Sequence, residues 1–499
     1  MASSTEVVVT YANIILYAIS YQLQRPVEPF LVRSLIHNNN NQNDNSASNK
    51  NDEEETSNQT YGRLTSFFSF IQTIGSPLVG ILIDRIGVRK TSILVYVASA
   101  ASYWILANAT TTVWLFWSKV PTILQHAFLV GQATVASSTP RTSLEDNSGS
   151  NGDDKIRAVA LGRMTTAYTV GATIGPALGG YLAMGDLFAG ARLAIWGSIL
   201  SVVLSILFLK DRNTSEEECT EGSNKRSDSS HKMHQKQQSF MQSIHKTLSY
   251  LRHPTLGPLL FIKLLNGISS SAFTTVLPLV LVNKLHLDTS QLGYFMSASS
   301  LSVAVFASCG ISPAMSLMGN RSDRLASLGI TLRVMSILCF GGVVSWCLLY
   351  LMDADEIESQ QLLVPTEGLW LATIVSILIS ISSHMHATSV TTLTTGAVSV
   401  EQRGAVLGLE HGLFSLARVV GPPLGTTLLS RPFMFGKFMM ESGLAGFWGV
   451  ISACVMMDVI LLACIQRWSG KQETLVNRDE CIGLTKVEDD ANNDHDHSD

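Results

Sequence analysis

The sequence predicts an all-α polytopic membrane protein of about twelve spans, and three observations predict it. The 499 residues are 46% hydrophobic and 15% charged, whereas soluble domains carry roughly a quarter charged residues. Apolar blocks of about 20 residues, the length a helix needs to cross a bilayer's hydrocarbon core, recur along the chain with the charges between them. The blocks fall into two groups of six separated by a long polar interval, and the groups share a repeat. A helix satisfies its own backbone hydrogen bonds in lipid, and Leu, Gly, Ala and Ser are abundant, so helices rather than a β-barrel follow.

Met1–Glu6 has no basic region, and the first apolar run continues too far for a cleaved signal, so it reads as a span. The first six spans are Val7–Leu31, Tyr61–Ile83, Thr91–Ala107, Val113–Ala136, Val159–Met184 and Leu193–Leu209. The second six are Pro258–Val282, Leu292–Met318, Ile330–Leu351, Leu369–Val390, Val406–Leu429 and Phe447–Ile465. With both termini in the cytosol, Lys and Arg concentrate in the inside segments, as the positive-inside rule requires.

The domain reading is a six-helix half over 1–210, a cytosolic linker over 211–255, a second half over 256–466 and an acidic tail over 467–499. The outside loop at 37–59, the insert Ser143–Asp154, the linker stretch Asp211–Gln238 and the tail are too polar to offset their ordering entropy by burial, and are expected to be disordered. In Phe240–Leu251, Phe240, Met241, Ile244, Leu248 and Leu251 share one helical face, which fits either an amphipathic helix on the inner leaflet or a short solvated helix. Asn58 and Asn108 head glycosylation sequons on the side read as outside. The net charge of −5 arises largely in the polar inserts and tail, and implies no nucleic-acid partner. The seven cysteines show no metal-type spacing and no disulfide framework, so neither metal nor cofactor is expected.

The repeat gives the layout its meaning. Arg157-x-x-x-Leu161-Gly162 and Arg403-x-x-x-Leu407-Gly408 open spans five and eleven, and without a gap both reach Gly-Pro: Gly175-Pro176-x-x-Gly179 and Gly421-Pro422-x-x-Gly425. Two six-span halves repeated in parallel are a carrier design, with a site at the repeat interface. Proline frees a carbonyl one turn back and bends a helix, while Gly171, Gly175, Gly179 and Gly180 form a small-residue stripe suited to close helix contact. Packing and hinge roles are both compatible with that motif.

After span two the chain reads Gly80-Ile-Leu-Ile-Asp84-Arg85-Ile-Gly87-Val-Arg89-Lys90, which resembles the signature of the major facilitator superfamily. The span-five Gly171–Gly180 motif is similar to that of its drug/proton antiporter branch, and Arg63 through Gly180 resembles the organic-cation-transporter-like carriers of solute carrier family 22. The resemblance implies a secondary transporter of small organic solutes, organic cations or drug-like amphiphiles, working by alternating access with proton antiport. It also implies that the Gly80–Lys90 loop latches the outward-facing state against the start of span eleven, near Arg403 and Gly404. Physically, Asp84 can accept from a helix N-terminus, Gly80 and Gly87 permit close backbones, and Arg85, Arg89 and Lys90 hold the loop at the anionic leaflet. Two departures stand out: Gly319-Asn-Arg321-Ser-Asp323-Arg324 keeps only the basic character of a sister loop, and span four carries Lys119 where antiporters carry Arg.

An ionisable group inside a span is costly unless paired or wetted. Such groups are Arg25, Glu28, Lys119, His126, Arg163, Lys263, Arg333, His384, His386, Glu410, His411, Arg418 and Asp458. Arg163, Arg333 and Glu410–His411 lie near cytosolic ends and are read as snorkelling, Arg25 and Glu28 as pairing at i,i+3, and Asp458 as a structural partner. In the family fold spans one, four, seven and ten line the cavity, which singles out Glu28, Lys119, Gln125, His126, Lys263 and Asn266. Arg418 in span eleven joins them. Glu28 or His126 is then expected to change charge as solute binds. The partners expected are a small-molecule substrate, protons and the bilayer of a plasma or organelle membrane, with the chain a monomer. A second reading keeps the fold without transport, as a sensor or scaffold acting through linker and tail. An enzyme is not expected: the spans carry neither a metal-type His/Asp array nor an activated nucleophile.

Overall fold

Proline breaks the first span where the cavity lies. A computed structural model describes residues 2–42, 50–138, 150–209, 250–354, 366–398, 403–431 and 444–493. In it α1 (Ala2–Gln22) and α2 (Glu28–Gln42) are separated by turns over 23–27. Pro26 has no N–H and disfavours helix at Arg25, so the chain turns through Val27 N–H to the Gln24 carbonyl at 3.0 Å before α2 resumes. Span four breaks similarly at Pro121: α3 (Lys50–Ile86) and α4 (Val88–Ala107) precede α5 (Thr112–Lys119), a 3₁₀ turn (Val120–Leu124) and α6 (Ala127–Ser138). Helices α7 (Ser150–Ala183) and α8 (Ala189–Phe208) complete the first half.

The second half comprises α9 (Leu256–Asn283), α10 (Thr289–Val305) continued by a π turn into α11 (Ile311–Leu317), α12 (Ser322–Ala354), α13 (Thr366–Gly396), α14 (Arg403–Ser430) and α15 (Ala445–Asn493). Among the described residues no strand occurs, and eight helices are long and apolar enough to cross a membrane. The other four stretches read as spans from the sequence coincide with the two interrupted rods, α1–α2 and α5–α6, and with α7 and α14.

Packing repeats as the sequence does. Helix α1 lies along α7 and α8, and α4 along α8; correspondingly α9 lies along α14 and α15, and α12 along α15. The halves meet through α3 on α14 and α7 on α10. One core holds Ile14, Val79, Val95, Val130 and Met164. The other is built on Phe273, Phe340 and Phe447, whose rings meet edge-on at 6.1 and 6.3 Å. Trp104, Trp196 and Trp370 remain exposed on the outer surface, as lipid-facing side chains are.

Several segments expected to lack order are helical. Helix α2 runs to Gln42 and α3 starts at Lys50, taking up much of the 37–59 loop. Asp52 and Glu53 sit in the first turn of α3, where they complement the helix dipole, and Glu53 Oε1 lies 3.0 Å from His37 Nδ1. Helix α7 begins inside the 143–154 insert at Ser150, and α15 continues past Ile465 to Asn493. The linker over Asp211–Gln238, the amphipathic stretch from Phe240 to residue 249 and the last six tail residues lie outside the described residues.

Candidate functional site

The two interrupted rods meet. Glu28 at the start of α2 and Lys119 at the end of α5 form an ion pair, and Lys119 Nζ also stands 5.6 Å from the Phe68 ring centroid. A charged pair at this depth is tolerated because each partner supplies the other's counter-charge and broken backbone is turned to a cavity rather than to lipid. The expected Arg25–Glu28 pairing is not formed: Pro26 puts a turn, not a helix, between them, so the i,i+3 relation of a helix is lost.

The cavity lies between the halves and encloses about 100 Å³. Arg25, Glu28, Lys119 and Gln125 line it from spans one and four, with Tyr61 and Phe68 from α3 and Tyr103 from α4. Ser271, Thr274 and Thr275 of α9 and Arg418 of α14 form the opposing wall. Gln125 is buried; its Nε2 donates to the Tyr103 hydroxyl at 2.9 Å and its carbonyl accepts from Tyr17 at 3.2 Å. Tyr17, Tyr21 and Phe68 stack in series, with centroids 6.3 and 5.9 Å apart.

The other candidates lie elsewhere. His126 sits in the break of span four and faces Gly75 of α3, off the cavity lining. Lys263 lies 3.4 Å from Glu410 and donates to the Ala387 carbonyl at 3.1 Å; Thr391 binds both charges, and Thr394 also donates to Glu410. Asn266 accepts from Arg333 at 2.6 Å, and Arg333 forms a two-point ion pair with Asp458, its Nε donating to Oδ2 at 2.8 Å. Ser269 donates to the same carboxylate at 3.1 Å. Arg333 and Glu410 therefore do not snorkel: at 2% and 4% exposure they are held inside the second half by partners from other helices.

The loop residues are placed as follows. Asp84 and Arg85 lie in the last turn of α3, Gly87 turns the chain at φ +83° into α4, and Arg89 donates to the Ile206 carbonyl at 2.7 Å. Arg85 and Lys90 are exposed, and a Cβ on Gly80 would meet nothing within 4 Å. Among the described residues, close approach at Gly80 is thus absent in this conformation. The latch to Arg403 and Gly404 falls outside the described side chains.

The glycine-proline motif packs helices. A Cβ on Gly175 would lie 2.5 Å from that of Gln22, Gly171 faces Ile15, Ala18 and Ile19 of α1 in the same way, and Gly179 faces the Leu23 backbone just past its end. Gly180 and the Pro176 carbonyl face Gly293 and Thr289 of α10, across the halves. In the repeat, Gly421 and Gly425 face Ser271 and Ala272 of α9, while Pro422 lies inside α14.

Polar and apolar contacts join the halves at the Asn58 end. Asn283 donates to Asn58 at 3.0 Å, Lys284 pairs with Glu54 at 3.1 Å, and Leu279 of α9 enters the apolar cluster of Val27, Leu31 and Leu35. Deeper in, Ser66 donates to the Val419 carbonyl at 2.5 Å and Ser297 accepts from the Ala177 N–H at 2.8 Å. Gly408 and Gly412, toward the other end of α14, have open space at their Cβ positions.

Helices long and apolar enough to cross a membrane, with two interrupted rods that meet at a charged cavity, define a carrier-type membrane protein. The family model "Major Facilitator Superfamily" matches residues 10–356, and the chain belongs to that superfamily. Solute carrier family 22 member 18 of Mus musculus is 23% identical over 383 residues, covering 74% of this chain and 80% of its own. Multidrug resistance protein 2 of Bacillus subtilis (strain 168) is 23% identical over 402 residues, covering 78% and 85%. Among solved structures, a bacterial homolog of the human lysosomal transporter Spinster, inward-facing and unoccupied, aligns over 94% of this chain and 96% of its own. Its TM-score is 0.61 at 13% identity, a likeness of fold.

Sequence reasoning kept Arg25 out of the candidates by pairing it with Glu28; Pro26 and Pro29 were the signal that this stretch is not one helix. Tyr103 and Gln24 were missed altogether, since nothing in a run of apolar and small residues tells which face turns to a cavity.

Proposed function

We propose that this chain is a secondary active transporter of small organic solutes that works by alternating access and is coupled to protons. The observation that carries this is the meeting of two interrupted spans at a charged cavity between the halves, with Glu28 on one and Lys119 on the other. Membership of the superfamily and the relatives named for drug resistance support solute transport as the activity.

In this reading both termini and the 211–255 linker are cytosolic, the halves are 1–210 and 256–466, and the chain acts as a monomer. The Asn58 end then faces outside, and its closure makes the conformation inward-facing. The Gly80–Lys90 loop would latch only in the opposite state, which accounts for the open space at Gly80. Glu28 is the proton-coupling group, since a proton on its carboxylate releases Lys119. His126, off the lining, has a secondary place. The direction of coupling then depends on the solute's charge: a cation taking Lys119's place on Glu28 would exchange with the proton, and an anion drawn to Lys119 would move with it. Lys263, Asn266 and their partners act as structural staples of the second half.

The test is uptake of a panel of labelled amphiphiles into proteoliposomes under imposed proton and sodium gradients. Gradient-driven uptake that Glu28→Gln abolishes supports the proposal. Folded protein that moves none of the panel overturns it.

A further inference from the structure

We propose that the solute is an organic anion, with a carboxylate or sulfonate taken by Arg25 and Arg418 and an aromatic body laid against the cavity's ring wall. The proposal rests on the transport reading above and fixes the charge of what is carried.

The lining holds three cations, Arg25, Lys119 and Arg418, against one carboxylate, Glu28. Glu28 is committed to Lys119. Among the described residues no carboxylate lies in ion-pair reach of either guanidinium, and an arginine cannot shed its proton to escape the cost. Arg25 is exposed and Arg418 half-buried, so each guanidinium opens to the cavity, where water or a counter-anion meets its charge. A planar guanidinium binds carboxylate and sulfonate through two parallel N–H bonds, which favours an oxyanion over halide. An organic cation would meet repulsion from both arginines.

A second observation is independent of charge. Gln24 is 5% exposed and lines the cavity next to Arg25, yet neither its amide nitrogen nor its oxygen has a hydrogen-bond partner. Buried polar groups are seldom left unmet, and an unpartnered amide in the wall of a cavity offers a donor to an incoming acceptor. About 100 Å³ of enclosed space holds an acidic group with a few waters, not a whole amphiphile. The body must lie along Tyr21 and Phe68, whose stacked rings border that space.

The sign of proton coupling follows. Glu28 faces Lys119 from span four, Arg25 from its own span, Tyr61 and Tyr103 from spans two and three, and Arg418 from span eleven. A proton on Glu28 frees Lys119 as a third cation, so proton and anion each strengthen the other's binding. They travel together, rather than in exchange.

The experiment uses the full-length chain in nanodiscs and proteoliposomes with three probes sharing one ring: naphthalene-2-sulfonate, 2-naphthylmethylammonium and 2-naphthalenemethanol. The expected result is binding of the sulfonate at least tenfold tighter than of the other two, tightening further as pH falls. Arg25→Gln and Arg418→Gln each weaken it about tenfold or more, and Arg418→Lys weakens it less. Preference for the ammonium probe, equal affinity for all three, no binding of any, or Gln variants that bind the sulfonate as the parent does would each overturn the proposal. The parent's charge preference stands even if a variant fails to fold. Sulfonate binding without flux would defeat the transport reading while leaving the site intact; flux of the ammonium probe alone would do the reverse.

Discussion

Glu28 and Lys119, 91 residues apart in sequence, form an ion pair at the point where spans one and four are both broken. The pair joins the N-terminal half's two discontinuous helices and borders the cavity between halves. Glu28→Gln or Lys119→Met should each lower solute flux by at least tenfold while leaving a folded monomeric protein. The charge-swapped double variant should regain stability but not flux. Flux in proteoliposomes alongside size-exclusion profiles reads both effects.

The Arg333–Asp458 pair has a different fate. Both are essentially buried, and Asn266 and Ser269 complete their hydrogen bonds. Arg333→Leu leaves an uncompensated buried carboxylate, which costs roughly 3–5 kcal/mol, whereas adding Asp458→Leu should recover most of that loss. Thermal unfolding in detergent measures it. A single variant as stable as its parent would show the pair to be unimportant.

Glycines on the two sides of the first half should respond oppositely. A Cβ on Gly175 collides with Gln22, so Gly175→Val should drive α7 off α1 and reduce the yield of folded protein. Gly80 faces open space, and Gly80→Val should fold as the parent does. If the loop at 80–90 latches only the opposite conformation, Gly80→Val will nonetheless slow transport. Unfolding temperature and flux, measured on both variants, separate the two effects.

At the Asn58 end, Glu54–Lys284 ties α3 to α9 across the halves. Lys284→Glu should favour opening there and increase labelling of a cysteine placed at Leu31, which is buried in the closed end. A half-buried pair still in reach of solvent contributes about 1 kcal/mol, so the shift should be about fivefold. Adding Glu54→Lys should reverse it. Asn58, buried and bonded to Asn283 in this conformation, should remain unglycosylated while that end is closed.

Fold was far more legible than site. Hydropathy gives the helices because lipid imposes one rule on every span, and the Arg157 and Arg403 repeats give the two halves because packing of α7 on α1 and of α14 on α9 needs the same glycines. Pairing of charges was not legible, because it depends on helix neighbours that hydropathy does not encode. Arg333 looks like a residue near a helix end until Asp458 of α15 is brought beside it. Glu28 seemed to belong to Arg25 because i,i+3 assumes a helix, and Pro26 removes that assumption. The polar inserts failed for another reason: composition reports cost of burial, not helix propensity, and Glu53, Glu54 and Glu55 extend α3 while staying outside the core.

The central claim is that solute crosses through the cavity between the halves under control of Glu28. Its most direct test is uptake of naphthalene-2-sulfonate into proteoliposomes with an imposed pH gradient, comparing parent and Glu28→Gln. The account predicts accumulation driven by the gradient in the parent, and in the variant only gradient-independent equilibration or none. Accumulation by the variant equal to the parent's would contradict it.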